Sequence, residues 1–214
     1  MDSFFRKRQP QQQRAQTLVA AVVTALEQLI ERSQAEDLSE LSMRAIAHRA
    51  GVGLGSIYEY FSGQNALFDE FLAELTERNF THLADFMRST HALPLADAVG
   101  LLLDRAVDVY LRAPGRTRVA IAIIFRLGRA ELVVKERDRF AVLCAERVMM
   151  EHPDLDRARV EAAMRMALDA GMGIVMAELW RPTPDVRAAL RTLTEAIFVQ
   201  ALGFPLWNLQ RPHS

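Results

Sequence analysis

The sequence predicts an all-α protein, and three observations support that class. Apolar residues recur at intervals of three and four along most of the 214 residues, the period of a helix with one buried face. The ten Gly and eight Pro are a modest number, and the recurring Ala, Leu, Arg and Glu favour helix. The one strand-like run, VAIAIIF at residues 119–125, has no partner strand elsewhere in the sequence. We therefore expect residues 116–127 to form a short, central, buried helix.

Composition narrows the class of protein further. The net charge is -1, so no global positive field attracts nucleic acid, and one Cys among 214 residues excludes an internal disulfide. No run of 18 apolar residues could span a membrane. Gln-rich sequence, and not an apolar stretch, follows Arg6, Lys7 and Arg8, so we expect no signal peptide. A soluble cytoplasmic protein without membrane contact is the expectation.

Residues 42–67 contain two short amphipathic helices separated by a glycine turn. The first has a single apolar face, with Ser42 at its N-cap and Gly51 after its last residue. The second, Leu54 to Phe61, buries Ile57 and Phe61. Two short helices across such a turn predict a helix-turn-helix, a shape that fits the major groove of DNA.

The same stretch resembles the N-terminal signature of TetR-family transcriptional regulators. The matching residues are Arg44, Ile46, Ala47, Ala50, Gly51, Val52, Gly55, Tyr58, Tyr60, Phe61 and Leu67. The resemblance implies a small DNA-binding domain of three helices, a larger all-helical effector-binding and dimerisation domain of about six helices, and a homodimer. We place the boundary between residues 1–63 and residues 64–214.

The resemblance also implies which residues meet DNA. Besides Arg44, these are Leu54, Gly55, Ser56, Tyr58, Tyr60 and Gln64. The basic arm of Arg6, Lys7 and Arg8 is either a solvated tail or a phosphate contact. Either tyrosine could instead be a core aromatic with a polar tip.

Three departures from the family pattern weaken the expected DNA contact. Gly53 replaces the usual Ser or Thr cap, Gln64 replaces a phosphate-binding Lys, and Glu59 adds a negative charge. Residues 1–63 hold seven Arg and Lys against seven Asp and Glu, which leaves no net charge. We therefore expect modest non-specific affinity and reliance on the basic arm.

The sequence gives no pattern for a metal, a cofactor or catalysis. Its five histidines lack the spacing of a metal site, and Cys144 fits a buried small hydrophobe. GVGLGS at residues 51–56 lacks the preceding strand of a phosphate-binding loop. We expect no enzyme and no cofactor.

A ligand pocket is expected among the middle helices. Its candidate residues are Phe68, Phe71, Tyr110, Phe125, Arg126, Phe140 and Met164. Plain hydrophobic core is the alternative for each of them. A buried Arg126 would need an anionic partner, which suggests an apolar effector with anionic or amphipathic character.

The last two helices, at about 156–180 and 185–202, are expected to pair with their copies in a homodimer. Their small residues Ala163, Ala167, Ala170 and Gly171 permit close approach, although ordinary monomer core is the alternative. The apolar segment 204–207 should pack on the protein.

These observations predict a homodimeric regulator, a repressor released from a palindromic operator by a small-molecule effector. One alternative keeps DNA binding and replaces the small molecule with a protein partner. Another is a ligand-binding helical module that does not bind DNA, which Glu59, Gln64 and the zero net charge of residues 1–63 favour.

Overall fold

The computed structural model describes residues 13–32 and 38–207, and within them it confirms the all-α class. The described residues form nine α-helices and contain no strand. The helices are α1 (Gln13–Arg32), α2 (Met43–Ala50), α3 (Leu54–Tyr60), α4 (Gln64–Ser89), α5 (Leu95–Leu111), α6 (Pro114–Leu127), α7 (Ala130–Glu151), α8 (Arg157–Glu178) and α9 (Val186–Ile197). A 3₁₀ turn at Leu38–Glu40 precedes α2, and a π-helical turn at Phe198–Leu202 follows α9.

Local capping chemistry explains several of these boundaries. The Ser42 hydroxyl accepts a hydrogen bond from the Ala45 N–H at 3.2 Å at the start of α2, as predicted. Gly51 ends that helix with φ of 67°, a left-handed conformation that costs other residues about 1 kcal/mol or more. Asp156 and Asp185 cap α8 and α9 in the same way as Ser42.

The chain forms two compact units, which are not continuous in sequence. The first unit extends to Glu77 and includes Ala113–Ala130, and the second comprises Arg78–Arg112 and the chain from Glu131 onwards. Helix α6 therefore belongs with the helix-turn-helix, and α4 contributes residues to both units. The functional boundary after residue 63 stays a prediction.

The core of the first unit is built from α1, the helix-turn-helix and the first turns of α4. Its largest fully buried side chains include Leu26, Ile30, Leu41, Ile46, Ile57, Phe61, Leu67, Phe68, Phe71 and Leu72. Each fully buried side chain of this kind contributes about 1.5–3 kcal/mol through the hydrophobic effect. Helix α3 has only seven residues, too few to be stable alone, so this packing holds it in place.

The prediction that α6 is central and buried is wrong along most of its length. Its buried residues are Val119, Ala120 and Ile123, while Phe125 is 77% exposed. Although the helix is apolar over most of its length, only the residues that face its packing partners, which include α1, are buried.

The second unit is a bundle of α5, α7, α8 and α9 with the last turns of α4. Its buried cluster includes Leu102, Phe140, Ala141, Ala145, Val148, Val160, Ala163, Met164, Phe198 and Leu202. Arg147 is 2% exposed, and its guanidinium donates hydrogen bonds to the Leu93 carbonyl and to the Glu151 carboxylate. None of the helices among the described residues is long and apolar enough to cross a membrane.

The apolar C-terminal segment packs on the second unit, which confirms that prediction. Phe204 stacks on His152 with ring centroids 4.1 Å apart. The backbone N–H groups of Leu206 and Trp207 donate to the buried carboxylate of Glu195 at 2.8 and 2.9 Å. The Trp207 indole donates to the Ala96 carbonyl at 2.9 Å, which fixes the segment against α5.

The small residues of α8 that were expected at a dimer interface, Ala163, Ala167, Ala170 and Gly171, are buried or half-buried within the chain. Ala163 is 2% exposed, and a methyl group built on Gly171 would lie 3.5 Å from Leu190 of α9. These residues therefore allow α8 and α9 of the same chain to pack closely. Another face of α8 is open, where the exposed residues are Ala162, Arg165, Met166, Asp169, Gly173 and Ala177, and Trp180 is exposed two residues after the helix ends.

Candidate nucleic-acid interface and ligand cavity

Helices α2 and α3 form the predicted helix-turn-helix. Ile46 and Ala47 bury one face of α2, and Ile57 buries one face of α3. The Phe61 side chain is fully buried directly after α3. Because these apolar anchors point inward, the remaining residues of α3 are presented on the outer surface.

The residues expected to meet DNA lie on this outer surface. Arg44, Gly55 and Tyr58 are exposed, and Leu54, Ser56, Tyr60 and Gln64 are half-buried. Tyr58 is 43% exposed, so it is not a core aromatic in this chain. Gly53 caps α3 without any side-chain hydrogen bond, and Glu59 is exposed beside the same surface. The arm of Arg6, Lys7 and Arg8 lies outside the described residues.

An open groove of about 420 Å³ runs beside the helix-turn-helix. It is lined by Leu38, Ser39, Ser42, Met43, Arg44, Leu54, Tyr58, Gln64 and Arg126. Six of these nine residues have polar or charged side chains, two of the six are arginines, and none is a carboxylate. The groove is therefore suited to an anionic group.

Arg126 reaches this groove from α6, and its predicted burial is wrong. The side chain is exposed, its guanidinium donates to Gln64 Oε1 at 2.9 Å, and it lies 5.4 Å from the Phe68 ring centre. Gln64 Nε2 in turn donates to the Leu41 carbonyl at 2.7 Å. Sequence periodicity could not find this cluster because Gln64 and Arg126 are 62 positions apart.

The second unit contains a mainly apolar cavity of about 120 Å³. Its lining residues are Asn79, Phe80, Leu83, Leu102, Leu103, Ala106, Tyr110, Val133, Glu136, Arg137, Phe140, Leu168 and Met172. Arg137 also pairs with Asp169 at 2.8 Å, while its buried Nε has no hydrogen-bond partner among the described residues. An apolar cavity with a few polar groups is the usual form of a small-molecule site.

Two of the seven predicted pocket residues, Tyr110 and Phe140, line this cavity. Phe68 and Phe71 are buried core of the first unit, Phe125 and Arg126 are exposed, and Met164 is buried core of the second unit. Glu136 and Arg137 also line the cavity but are not among the residues predicted from the sequence. They lie four and three residues before Phe140 on α7, so helical spacing from Phe140 could have placed them on its face.

The environment of the cavity changes the pKa of the Tyr110 phenol. The pKa of Tyr110 is raised to about 12, mainly by burial and in smaller part by the Glu136 carboxylate, while Arg137 acts in the opposite direction. Tyr110 therefore stays neutral at physiological pH and can act as a hydrogen-bond donor or acceptor. Elsewhere in this unit, burial raises the pKa of the Cys144 thiol to about 12, so it is a poor nucleophile. No cluster of three or more potential metal ligands occurs in the part of the chain that the structure describes.

Comparison with known proteins identifies the N-terminal region. Residues 24–71 match the model of bacterial regulatory proteins of the tetR family. An HTH-type transcriptional regulator from Staphylococcus aureus (strain MRSA252) is 27% identical over 88 residues, which cover 41% of this chain. The matched part spans only 45% of that relative's length.

Solved structures share the fold over most of the chain. A TetR transcriptional regulator from Rhodococcus sp. RHA1 has a TM-score of 0.58 and 18% identity, over 88% of this chain and 99% of that one. SmeT, the repressor of the Stenotrophomonas maltophilia multidrug efflux pump SmeDEF, has a TM-score of 0.57 and 17% identity, over 92% and 97%. The helix-turn-helix region is therefore similar to that of the tetR family of bacterial regulatory proteins, and the all-helical fold is shared with solved structures of TetR regulators.

Proposed function

We propose that the protein is a homodimeric repressor that binds a palindromic operator and leaves it when a small molecule binds the second unit. The observation that carries this proposal is the outer surface of the helix-turn-helix. Arg44, Tyr58 and the half-buried Ser56 are presented there on a rigid apolar base. In such motifs the second helix contacts base edges, and flanking groups fix the backbone phosphates.

The open faces of α8 and α9 support a homodimer. Most of the exposed residues of α8 lie on one side of the helix and include Met166 at 48% exposure, and Trp180, two residues after the helix ends, is 52% exposed. On α9 the exposed residues Ala189, Thr192 and Ala196 also lie at helical spacing. Small and apolar side chains on two neighbouring helices suit a two-fold interface, in which each patch meets its own copy. A dimer would present two α3 helices to successive turns of DNA.

The cavity of the second unit supports an effector of small size and mainly apolar character. Phe80, Leu102 and Phe140 supply the apolar wall, and Tyr110 with Glu136 offers hydrogen bonds. A ligand with an apolar body and one or two hydrogen-bonding groups fits this lining. The volume of about 120 Å³ favours a compact ligand or one that enlarges the cavity on binding.

Release from DNA requires the effector to bind the two states of the dimer with different affinities. Moving such an equilibrium from about 1:99 to about 99:1 takes roughly a 10⁴-fold difference. Helix α4 contributes residues to both units, so we propose it as the mechanical link. The repressor role of the structurally similar SmeT is compatible with the same sign of regulation here.

The experiment is a gel shift with the duplex that flanks the protein's own gene, with and without a fractionated metabolite extract. We expect a shifted band that an extract fraction reduces. A shift that no small-molecule fraction alters, and that a protein fraction does, would favour regulation by a protein partner. The neutral charge of residues 1–63 and the exposed Glu59 favour the remaining alternative, a ligand-binding module without DNA binding. Ligand binding without a shift on any genomic fragment would support that alternative.

A further inference from the structure

The groove beside the helix-turn-helix contains two arginines whose charges are not neutralised within the described protein. Arg44 comes from α2 and Arg126 from α6, and both side chains are exposed. Neither pairs with a carboxylate among the described residues, whereas many arginines of the second unit do, such as Arg137, Arg187 and Arg191. The exposed Tyr58 of α3 lines the same groove.

Gln64 fixes the position of the Arg126 guanidinium. The Gln64 amide donates to the Leu41 carbonyl through Nε2, which leaves Oε1 to accept from Arg126. The buried Phe68 ring lies beneath the guanidinium at 5.4 Å, a cation–π geometry. Gln64 therefore uses both ends of its amide inside the protein, and most of the five guanidinium N–H groups of Arg126 stay available to a ligand.

We propose that Arg126 binds a backbone phosphate of the DNA, and so supplies the charge that the family pattern places at position 64. Gln64 acts as a positioning residue that orients Arg126, and Arg44 and Tyr58 contact the same stretch of backbone. A guanidinium is well suited to this because its planar fork matches two phosphate oxygens. This inference rests on the proposed function, since it requires that the helix-turn-helix binds DNA.

The test measures how DNA affinity depends on salt. Fluorescence anisotropy with a labelled random-sequence duplex of about 30 base pairs reads phosphate contacts independently of the operator. Each lost contact lowers the slope of log K against log salt by about 0.9, so Arg126→Gln should lower it by about 1.8 in a dimer. The matched control is Arg112→Gln, which removes an exposed arginine of the second unit that pairs with Asp108. We expect the control to keep the wild-type slope.

A rescue variant separates this role from simple damage. Gln64→Lys placed in the Arg126→Gln protein restores a cation at the usual family position, and we expect it to recover most of the slope. Melting temperatures of all variants should stay close to wild type, because Arg126 is exposed. An unchanged slope in Arg126→Gln, or a loss that tracks a large fall in melting temperature, would overturn the inference. Failure of the wild-type protein to bind any duplex would instead overturn the proposed function.

Discussion

Replacement of Glu195 by Ala should destabilise the second unit, and the structure sets the size of the effect. The Glu195 side chain is 6% exposed, and its Oε2 accepts two backbone hydrogen bonds from Leu206 and Trp207. A hydrogen bond to a charged group contributes about 1.5–3 kcal/mol. Water can reach the half-buried donors once the carboxylate is gone, so the loss should be about 3 kcal/mol and not the full value of two bonds. Glu195→Gln keeps one carbonyl acceptor and should cost roughly half as much.

The assay is thermal unfolding at a fixed protein concentration, because the melting temperature of the proposed dimer would depend on concentration. For a chain of this size a loss of about 3 kcal/mol lowers the melting temperature by roughly 6–12 °C. The sequence holds two Trp, so a Trp180→Phe background reports on Trp207 alone. Its emission should shift to the red in Glu195→Ala as the indole loses the Ala96 carbonyl.

The matched control is Glu146→Ala on α7, which removes an exposed carboxylate of the same unit. We expect it to change stability by no more than about 0.5 kcal/mol. Equal melting temperatures for the Glu195 and Glu146 variants would show that the buried carboxylate does not hold the C-terminal segment in place.

Three further predictions concern other parts of the molecule. Cys144 should resist iodoacetamide at pH 8 in the native protein and react once unfolded. Because burial raises the pKa of Cys144 from 9.0 to about 12, the neutral thiol contributes its full stability to the folded state below pH 9.0. That contribution is lost as the pH rises towards about 12, and alkaline denaturation measures the loss. If the proposed dimer forms through the open face of α8, Met166→Glu should give a monomer by light scattering, whereas Met150→Glu on α7 should leave a dimer. Gly51→Ala should lower the free energy of unfolding by about 1 kcal/mol in denaturant titrations, because Ala is strained at the positive φ of this position. Steric clash adds nothing, since no non-neighbouring residue lies within 4 Å of the added methyl group. An unchanged free energy of unfolding would mean that the turn relaxes.

Local sequence signals predicted the helix-turn-helix well. The cap at Ser42, the left-handed glycine at position 51 and the inward anchors Ile57 and Phe61 are all found in the structure. Each depends on residues within one or two helical turns, so the sequence carries the information directly. The exposure of Tyr58 also resolves an alternative that the sequence had left open.

Features that depend on packing between distant segments were not predicted. Whether α6 packs with the N-terminal helices is decided by shape, so Arg126 was expected in a pocket and lies beside Gln64. On α8, small residues occur on more than one side, and sequence alone does not distinguish the inward-facing Ala163 from the exposed Ala162. The sequence predicted only two of the residues that line the cavity, because the lining comes from four helices that are distant in sequence.

In the proposed function, a dimer binds DNA sequence-specifically through the outer surface of α3. The most direct measurement is sequencing of genomic fragments retained by the purified full chain, beside those retained by a Tyr58→Ala variant. We expect enrichment of palindromic sites with half-site centres about one DNA turn apart, or a multiple of it, and loss of that enrichment in the variant. No enriched sequence with the wild-type protein, or the same enrichment with the variant, would contradict it.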